Sequence, residues 1–457
     1  MAAAGFDPPA SYRNWLTLLG AVLTTVSAVL FLIFFFLDLA GFHTNPYMGI
    51  VTFLLLPAAF VFGLALIPLG VWRDRRRLAL GKPVKPWPVL DFSRPNVRWG
   101  AIVLLALTSI NIAIVAMAAV KSVEYIDSTA FCTGACHTPM EPEAVAQRRS
   151  VHASISCSSC HIGPGPQGFV TAKVGGVRRL ASVVTGAMSR PIPVPVHDLP
   201  LTTGTCGSCH TPTKYIGDVA KPFRYYSDDE GSTEQVTNLT LLVGGGGYEA
   251  GGPQGIHWHA SPQTRIEYIS TDGKRETIPW VRVTDQRGDV REYMTEGFSP
   301  EQVPTAERRV MDCTDCHNRQ AHPIAPSTER AVDEALATGL LPRSLPFVRR
   351  EAIAALNASG RDRAMAEQQI SERLSSFYAQ QQGLGRTADP LVKQAIAASQ
   401  RLYLDNVFPE MNVSWGTYPN QRGHTDFPGC FRCHDEQHKS RTGAVITQNC
   451  ESCHRMQ

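Results

Sequence analysis

Three long apolar runs dominate the first 120 positions of the chain. They cover residues 16–37, 49–72 and 100–120, and none of them contains Lys, Arg, Asp or Glu. Each is close to the roughly 20 residues that a helix needs to cross a bilayer. Any single run could be a buried core helix or a signal peptide, but the first has no clear small-residue cleavage site after it. Three runs in succession predict three N-terminal transmembrane helices in a membrane domain over residues 1–125.

The loops between these runs differ in charge. Residues 41–48, between the first two runs, include no Lys or Arg, whereas the segment between the second and third runs is strongly basic. The positive-inside rule places the basic segment and the N-terminus in the cytoplasm, unless the basic loop is merely solvated. The chain after Lys121 is then expected on the periplasmic side of a bacterial inner (cytoplasmic) membrane. The basic residues are Arg73, Arg75, Arg76, Arg77, Lys82, Lys85, Arg94 and Arg98.

Patterning in the remainder is mixed. Residues 168–190 and 328–408 are periodic and predict helices. Residues 265–270 and 278–284 alternate, are rich in β-branched and aromatic types, and are separated by a turn at 271–274, so they predict strands. We therefore predict a small β-rich insert at 216–312, a segment at 313–408 that is mainly helical, and a C-terminal segment at 409–457.

Composition narrows the classes of function. The chain has 457 residues, a formal net charge of +3 and 44% apolar residues. The length suggests two or three domains. Near-neutral charge argues against nucleic acid as a partner.

The cysteines carry the strongest chemical signal. All twelve fall into six pairs, and each pair is followed at once by a histidine. C-x-x-C-H is the attachment signature of c-type haem, in which two thiols bond to the porphyrin and the histidine binds iron. Redox dithiols, zinc half-sites and disulfide frameworks do not require that histidine. The motifs are Cys132/Cys136/His137, Cys157/Cys160/His161, Cys206/Cys209/His210, Cys313/Cys316/His317, Cys430/Cys433/His434 and Cys450/Cys453/His454.

The first motif has three residues between Cys132 and Cys136, so a disulfide or a bare thiol pair is its alternative reading. The first three motifs lie within residues 126–215, a segment too dense in motifs for an ordinary side-chain core. Porphyrins would supply much of its buried apolar area. The predicted fold is mostly α, with an irregular multihaem cytochrome c domain wrapped around its haems.

Six-coordinate haems need second axial ligands, and histidine gives low potentials whereas methionine raises them. The eight histidines outside the motifs are sufficient for bis-histidine ligation of most haems, although any one of them could be a surface residue. His43 is expected instead at the membrane interface or near a quinone. The candidate ligands are His152, His197, His257, His259, His322, His424 and His438.

Three positions have more specific expectations. His257 and His259 are two residues apart, so on a strand they would point the same way, yet one haem can use only one of them. His424 and His438 flank the fifth motif and are natural donors to the last two haems. Met140 is either a packing residue or an axial or near-axial group at the first haem.

The segment from Cys132 to His161, with Met140, His152 and the preceding membrane helix, resembles the NapC/NirT/NrfH family of membrane-anchored quinol dehydrogenases. Residues 313–322 resemble that family's C-x-D-C-H motif with a second histidine five residues on. The resemblance implies quinol oxidation at the outer membrane face and electron transfer to periplasmic partners. It also implies that His152 and His322 are distal ligands and that Lys173 lines the quinol pocket.

Residues 160–165, 190–197, 255–259 and 430–435 look like a larger subgroup with three membrane helices and six or seven haems. These inner-membrane cytochromes send electrons from the quinol pool toward extracellular metal acceptors. The chain departs from the family in its first cysteine spacing, in Met140, which lies three rather than two residues after His137, and in Leu180, which replaces an acidic residue.

The sequence therefore predicts a hexahaem inner-membrane cytochrome that oxidises menaquinol or another quinol. The expected partners are the quinone pool, periplasmic c-type cytochromes and the lipid bilayer, with homo-oligomerisation open. Lys173 would hydrogen-bond a quinol oxygen as the catalytic residue, or else only neutralise anionic lipid. The alternative functions are a terminal reductase of a small substrate such as nitrite and a passive membrane-anchored electron wire.

Overall fold

A computed structural model describes residues 14–39, 51, 55–82, 92–162, 165–195, 202–210, 217–245, 255–299, 301, 308–381 and 389–456. The predicted sites His43 and His197 lie outside these ranges. The chain divides into two compact units, Met1–Glu124 with Pro164–Val170, and Tyr125–Gly163 with Thr171–Gln457.

The first unit contains helices α1 (Trp15–Leu39) and α2 (Leu56–Ala79) and most of α3 (Pro95–Ile126). Within the described residues, α1 over Trp15–Phe34 and the whole of α2 are long and apolar enough to cross a membrane. These two helices indicate membrane anchoring. In α3 the apolar portion found is the shorter segment Pro95–Ile110. The third transmembrane helix therefore stays a prediction.

Helices α1 and α2 pack closely through glycines. A Cβ on Gly20 would lie 2.7 Å from the carbonyl oxygen of Gly63, and a Cβ on Gly63 would lie 2.6 Å from Oγ1 of Thr24. Small residues let helices approach in lipid, where burial of apolar side chains provides little driving force. Asn14 caps α1 by accepting a hydrogen bond from the Thr17 amide at 2.8 Å.

Short helices carry the first three motifs. They are α4 (Thr129–Ala135), α5 (His137–Arg149), α6 (Cys157–His161), α7 (Gly165–Val184) and α8 (Thr202–Cys206). Ser128 begins α4 by accepting a hydrogen bond from the Phe131 amide. Helix α7 corresponds to the helix predicted at 168–190 but ends at Val184. Gly186 follows with a φ of 70°, a left-handed conformation that stops a helix.

The β-rich region contains more strands than the sequence predicted. Strands β3 (Arg265–Ile269) and β4 (Trp280–Thr284) match the predicted pair, whereas β1 (Val219–Tyr226), β2 (Glu234–Leu241) and β5 (Val290–Met294) were not identified. Three short strands complete the set: β6 (Arg309–Val310), β7 (Lys439–Ser440) and β8 (His454–Met456). The sheets are antiparallel, with orders β1-β2-β8 and β6-β3-β4-β5-β7.

This topology ties the sheets to the last three motifs. Strand β6 leads into the fourth motif, β7 follows the fifth, and β8 begins at the histidine of the sixth. Ile266, Tyr268, Val281 and Val283 form the core of the larger sheet. The sheet therefore holds two motifs that are more than a hundred residues apart in sequence.

The predicted helical segment forms α9 (Thr328–Ala337), α10 (Val348–Ala358), α11 (Arg363–Gln380) and α12 (Asp389–Asn406). Ser327 and Asp362 cap α9 and α11 through their side chains. Val332, Val348, Ile370 and other fully buried side chains form one hydrophobic core. This bundle has an ordinary side-chain core, unlike the segment that carries the first three motifs.

Candidate haem-binding sites

Each motif begins in or just beside a short helical turn. The first three begin on α4, α6 and α8, and the last three begin in 3-10 turns at Cys313–Asp315, Gly429–Arg432 and Cys450–Ser452. All twelve cysteines are free of disulfides. In the part of the chain that the structure describes, no three His, Cys, Asp or Glu side chains surround a bare metal site. The thiols are thus available for attachment to a porphyrin.

The motifs contact one another in chain order. Helix α4 contacts α6, α6 contacts α8, and α8 contacts the turn Cys313–Asp315. Cysteine side chains of successive motifs interact at every step, including the two between the last three motifs. The pairs are Cys132 with Cys157, Cys160 with Cys209, Cys206 with Cys313, Cys316 with Cys430, and Cys430 with Cys453. The six sites therefore form one continuous series.

Five motif histidines each face a histidine from outside the motifs. The separations between ring centres range from 5.8 to 6.4 Å. The pairs are His210 with His152 (6.1 Å), His161 with His322 (6.2 Å), His317 with His257 (6.4 Å), His434 with His259 (5.8 Å) and His454 with His424 (6.2 Å).

These separations fit two axial ligands of one iron. A metal-bound imidazole nitrogen lies about 2 Å from the metal, and the ring centre lies about 1 Å further. Two imidazoles on opposite faces of a haem therefore have centres roughly 6 Å apart. Direct packing of two rings would permit a much wider range of distances. The shared value in five pairs is the geometric test that a bis-histidine site passes.

Hydrogen bonds orient three of these rings. Nδ1 of His259 contacts the Ile256 carbonyl oxygen at 2.9 Å, and Nδ1 of His434 contacts that of Thr447 at 2.8 Å. Nδ1 of His322 lies 3.1 Å from the Glu143 carbonyl oxygen. A ring that donates from Nδ1 leaves the Nε2 lone pair for iron, and such partners fix ring orientation in metal sites.

Local structure explains how the chain presents the other facing histidines. Nε2 of Gln147 donates to the carbonyl oxygens of His152, Ala153 and Ile155 at 2.9, 3.1 and 3.0 Å, which fixes the loop that carries His152. The ring of His424 stacks on Phe431, with centres 4.2 Å apart. Phe431 belongs to the fifth motif, so the fifth site helps to orient a side chain of the sixth.

His257 and His259 differ from their sequence-based interpretation. They lie on a 3-10 helix, Ile256–Ala260, rather than on a strand, and they face the histidines of two different motifs. Gly255 precedes this helix with a φ of 66°, and a Cβ there would lie 2.4 Å from the Leu242 carbonyl oxygen. The alternation rule for strands did not apply, so both rings are available and neither is redundant.

The surroundings favour neutral imidazole in four of the facing rings. Desolvation lowers the pKa of His161, His257, His259 and His317 below the ordinary value. The mutual repulsion of His161 and His322 lowers the pKa of His161 further. Neutral imidazole is the form that binds a metal ion, so folding prepares these side chains for ligation.

His438 has a different environment from the predicted one. It is buried, with Nδ1 2.8 Å from Oδ1 of Asp435 and Nε2 2.6 Å from the Ile278 carbonyl oxygen. Both ring nitrogens contact protein oxygens, so neither is free for iron. We therefore leave His438 out of the ligand set and assign it a role in joining the fifth motif to the β-rich region.

Cys136, the second cysteine of the first motif, lies outside the helix that carries Cys132. Helix α4 ends at Ala135 and α5 begins at His137, so Cys136 is the single residue between the two helices, with φ −113° and ψ 42°. In the second motif, by contrast, both cysteines and the histidine lie on one helix, α6. The longer spacer therefore moves the second thiol of the first motif to a junction between helices.

The alternative reading of the first motif as a disulfide disagrees with the structure, because Cys132 and Cys136 are both free thiols. Cys132 instead interacts with Cys157 of the second motif. The thiol of Cys136 is half-buried. Attachment of a haem at Cys136 stays a prediction from the sequence, and the unusual spacing is now explained by the break between α4 and α5.

The first motif also differs from the other five in its histidine. His137 contacts Oγ1 of Thr138 at 3.1 Å, and among the described residues no histidine ring is found opposite it. Met140 lies one turn further along α5 and is half-buried. The structure thus leaves the second ligand of the first site as a prediction.

Lys173 forms an ion pair with Asp127, a residue that sequence reasoning missed. The Lys173 side chain is 32% exposed and that of Asp127 is 10% exposed. Asp127 directly follows α3 and precedes the first motif. Its place as the first acidic residue after a long helix that ends at Ile126 was the available signal. A cation and a carboxylate therefore lie together beside the first motif.

The chain is 35% identical over 448 residues to the cytochrome c-type protein ImcH of Geobacter sulfurreducens, and the match covers 97% of this chain and 88% of that protein. No family model matches the chain. No solved structure matches it.

Proposed function

Because the chain belongs to the family of the cytochrome c-type protein ImcH, we propose that it is an inner-membrane hexahaem c-type cytochrome. In this proposal it oxidises membrane quinol and relays electrons to periplasmic cytochromes, toward extracellular acceptors. The observation that carries it is the series of six contacting motifs, five of which have a facing histidine at the separation of two iron ligands. We also propose a haem domain of the NapC/NirT/NrfH type.

The residues divide the work of binding. The twelve motif cysteines would hold six haems covalently, and the six motif histidines would be the proximal ligands. Haem, when bound, supplies reversible one-electron transfer at iron. The five facing histidines would hold the distal positions and keep them closed to small molecules. These distal ligands are His152, His257, His259, His322 and His424.

Lys173 and Asp127 are the proposed quinol-binding pair. Oxidation of a quinol releases two electrons and two protons, so the site needs a proton acceptor next to the first electron acceptor. The Lys173 ammonium would donate a hydrogen bond to a quinol oxygen, and the Asp127 carboxylate would accept its proton. Leu180 stands where the resembling family has an acidic residue, and Asp127 would provide the missing carboxylate. The quinone pool is thus the proposed electron donor.

The exposed face of α7 supports contact with the membrane. Val174, Val177, Leu180 and Val184 lie on one side of this helix and are 59%, 69%, 56% and 77% exposed. Arg178 lies beside this face. An amphipathic helix with basic residues next to an apolar face is suited to an interface with anionic lipid. This arrangement would keep Lys173 at the depth of a quinol head group.

A nitroxide side chain introduced at Val177 is expected to collide more with oxygen than with a water-soluble nickel chelate in nanodiscs, because oxygen concentrates in lipid. The same label at Val290 provides the control, since this strand residue is 53% exposed but lies in the β-rich region. Equal accessibility profiles at the two positions would contradict membrane contact of α7.

A terminal reductase is the second candidate function. It is favoured by one observation: the described residues include no histidine ring opposite His137. A haem at that site with an open position would bind cyanide or nitrite and change its absorption spectrum. An unchanged spectrum would remove this candidate.

Anaerobic stopped-flow absorption tests the proposed function directly. Oxidised protein in nanodiscs is mixed with a menaquinol analogue and followed at the haem bands. We expect rapid, saturable reduction that a quinone-site inhibitor blocks. If dithionite reduces all haems but quinol reduces none, the chain is a passive wire that depends on an upstream protein donor.

A further inference from the structure

Arg432 is a buried cation in the spacer of the fifth motif, between Cys430 and Cys433. It is 9% exposed. Its Nε donates to the carbonyl oxygen of Gly429 at 2.8 Å, Nη1 to that of Arg275 at 2.9 Å, and Nη2 to that of Asp315 at 2.6 Å. No carboxylate in the described residues pairs with it. Neutral carbonyls therefore satisfy its hydrogen bonds and leave its charge in place.

Asp315 occupies the matching spacer of the fourth motif, and its side chain is 1% exposed. Its Oδ1 accepts hydrogen bonds from the Tyr268 hydroxyl at 2.5 Å, Nε of Arg309 at 2.9 Å and Nη1 of Arg275 at 3.2 Å. Arg309 also pairs with Asp312 at 3.1 Å. These two arginines balance the two aspartates.

We call the five charged residues Arg275, Arg309, Asp312, Asp315 and Arg432 the junction cluster. With two balanced pairs, the positive charge of Arg432 remains as the excess. The hydrogen bond from Arg432 to the Asp315 carbonyl oxygen joins the spacers of the fourth and fifth motifs. The cluster therefore lies where these two motifs meet.

The field of Arg432 reaches both motifs. Burial raises the pKa of the Cys316 thiol to about 11 and that of Cys433 to about 12, and Arg432 opposes the rise at both. One thiol belongs to the fourth motif and the other to the fifth. A single side chain thus acts on the attachment points of two sites.

We propose that Arg432 raises the reduction potentials of the two haems held by the fourth and fifth motifs. The inference rests on the proposed function, in which quinol donates the electrons and each ferric iron accepts one. Reduction removes one positive charge from the haem, so a nearby unneutralised cation favours the reduced form, and does so strongly in a poorly solvated region. Arg432 is a positioning residue in this sense: it sets where electrons reside in the series.

Potentiometric titration of the full-length protein followed at the haem bands tests the proposal. In Arg432→Gln we expect two of the midpoint potentials to fall, and in Arg432→Lys, which keeps the charge, we expect both to stay near the native values. Arg441→Gln is the matched control, because it removes one positive charge from an exposed position close to the same motif. Its potentials should not change.

Haem content separates the possible failures. Fewer than six haems in the native protein would overturn the proposed function, whereas six haems with unchanged potentials in Arg432→Gln would overturn this inference alone. If Arg432→Gln fails to assemble, Arg275→Gln decides, since it removes one positive charge from the same cluster at a less buried side chain. A fall of two potentials there supports the proposal, and unchanged potentials overturn it.

Discussion

Replacing His322 by methionine should move one of the six haems to a higher reduction potential, by on the order of tenths of a volt. Axial ligands tune haem potentials over a range of about 0.8 V, and methionine raises them relative to histidine. The ring of His322 faces His161 at 6.2 Å and contacts Glu143 through Nδ1, so Nε2 is the nitrogen available to iron. Redox titration of the purified variant measures the shift.

His438→Gln is the control for this prediction. His438 also lies outside the motifs, but its two ring nitrogens contact Asp435 and Ile278 rather than another histidine. We expect six low-spin haems with native potentials in that variant. A shift in His438→Gln together with none in His322→Met would show that the pairing of rings in the structure is wrong.

The sequence identified the chemistry better than the geometry. A fixed spacing of two cysteines and a histidine is a local pattern, so all six motifs could be read directly from the chain. The longer spacer before Cys136 is also visible in the sequence, but the break between two helices that it produces is not. The partner of each motif histidine is not local either. His322 lies more than 150 residues after His161, and no periodicity connects them.

The errors have physical causes that can be named. His257 and His259 were interpreted as strand neighbours, and the 3-10 helix turns their rings toward different motifs. His438 was chosen because it is near a motif in sequence, although burial against Asp435 gives it another role. Asp127 was missed because its ion-pair partner, Lys173, lies 46 residues away.

Secondary structure followed the same rule. The alternating pattern predicted β3 and β4, where one face of the sheet is buried. It missed β1 and β2, whose residues are mostly exposed, so that hydrophobic alternation is weak there. Tertiary pairing of β2 with β8 at the sixth motif, rather than local pattern, completes that sheet.

Lys173→Ala and Asp127→Asn should each slow the reduction of the haems by quinol by roughly a hundredfold, the lower range for loss of a general acid or base. Dithionite should still reduce both variants at the native rate, because it does not need the quinol site. Stopped-flow absorption with the two reductants measures the ratio. Lys173→Arg keeps the positive charge next to Asp127 and should retain more activity than Lys173→Ala.

Arg178→Gln distinguishes this role from a general attraction to anionic lipid. Arg178 lies on the same helix as Lys173, is exposed, and its substitution removes the same charge. If Lys173 only neutralises lipid, the two losses should be similar and should disappear in nanodiscs of uncharged lipid. If Lys173 and Asp127 bind quinol, Arg178→Gln should react at the native rate and Lys173→Ala should stay slow in both lipids. Equal slowing of Lys173→Ala with quinol and with dithionite would refute a quinol-specific role, since the defect would then lie in the haems themselves.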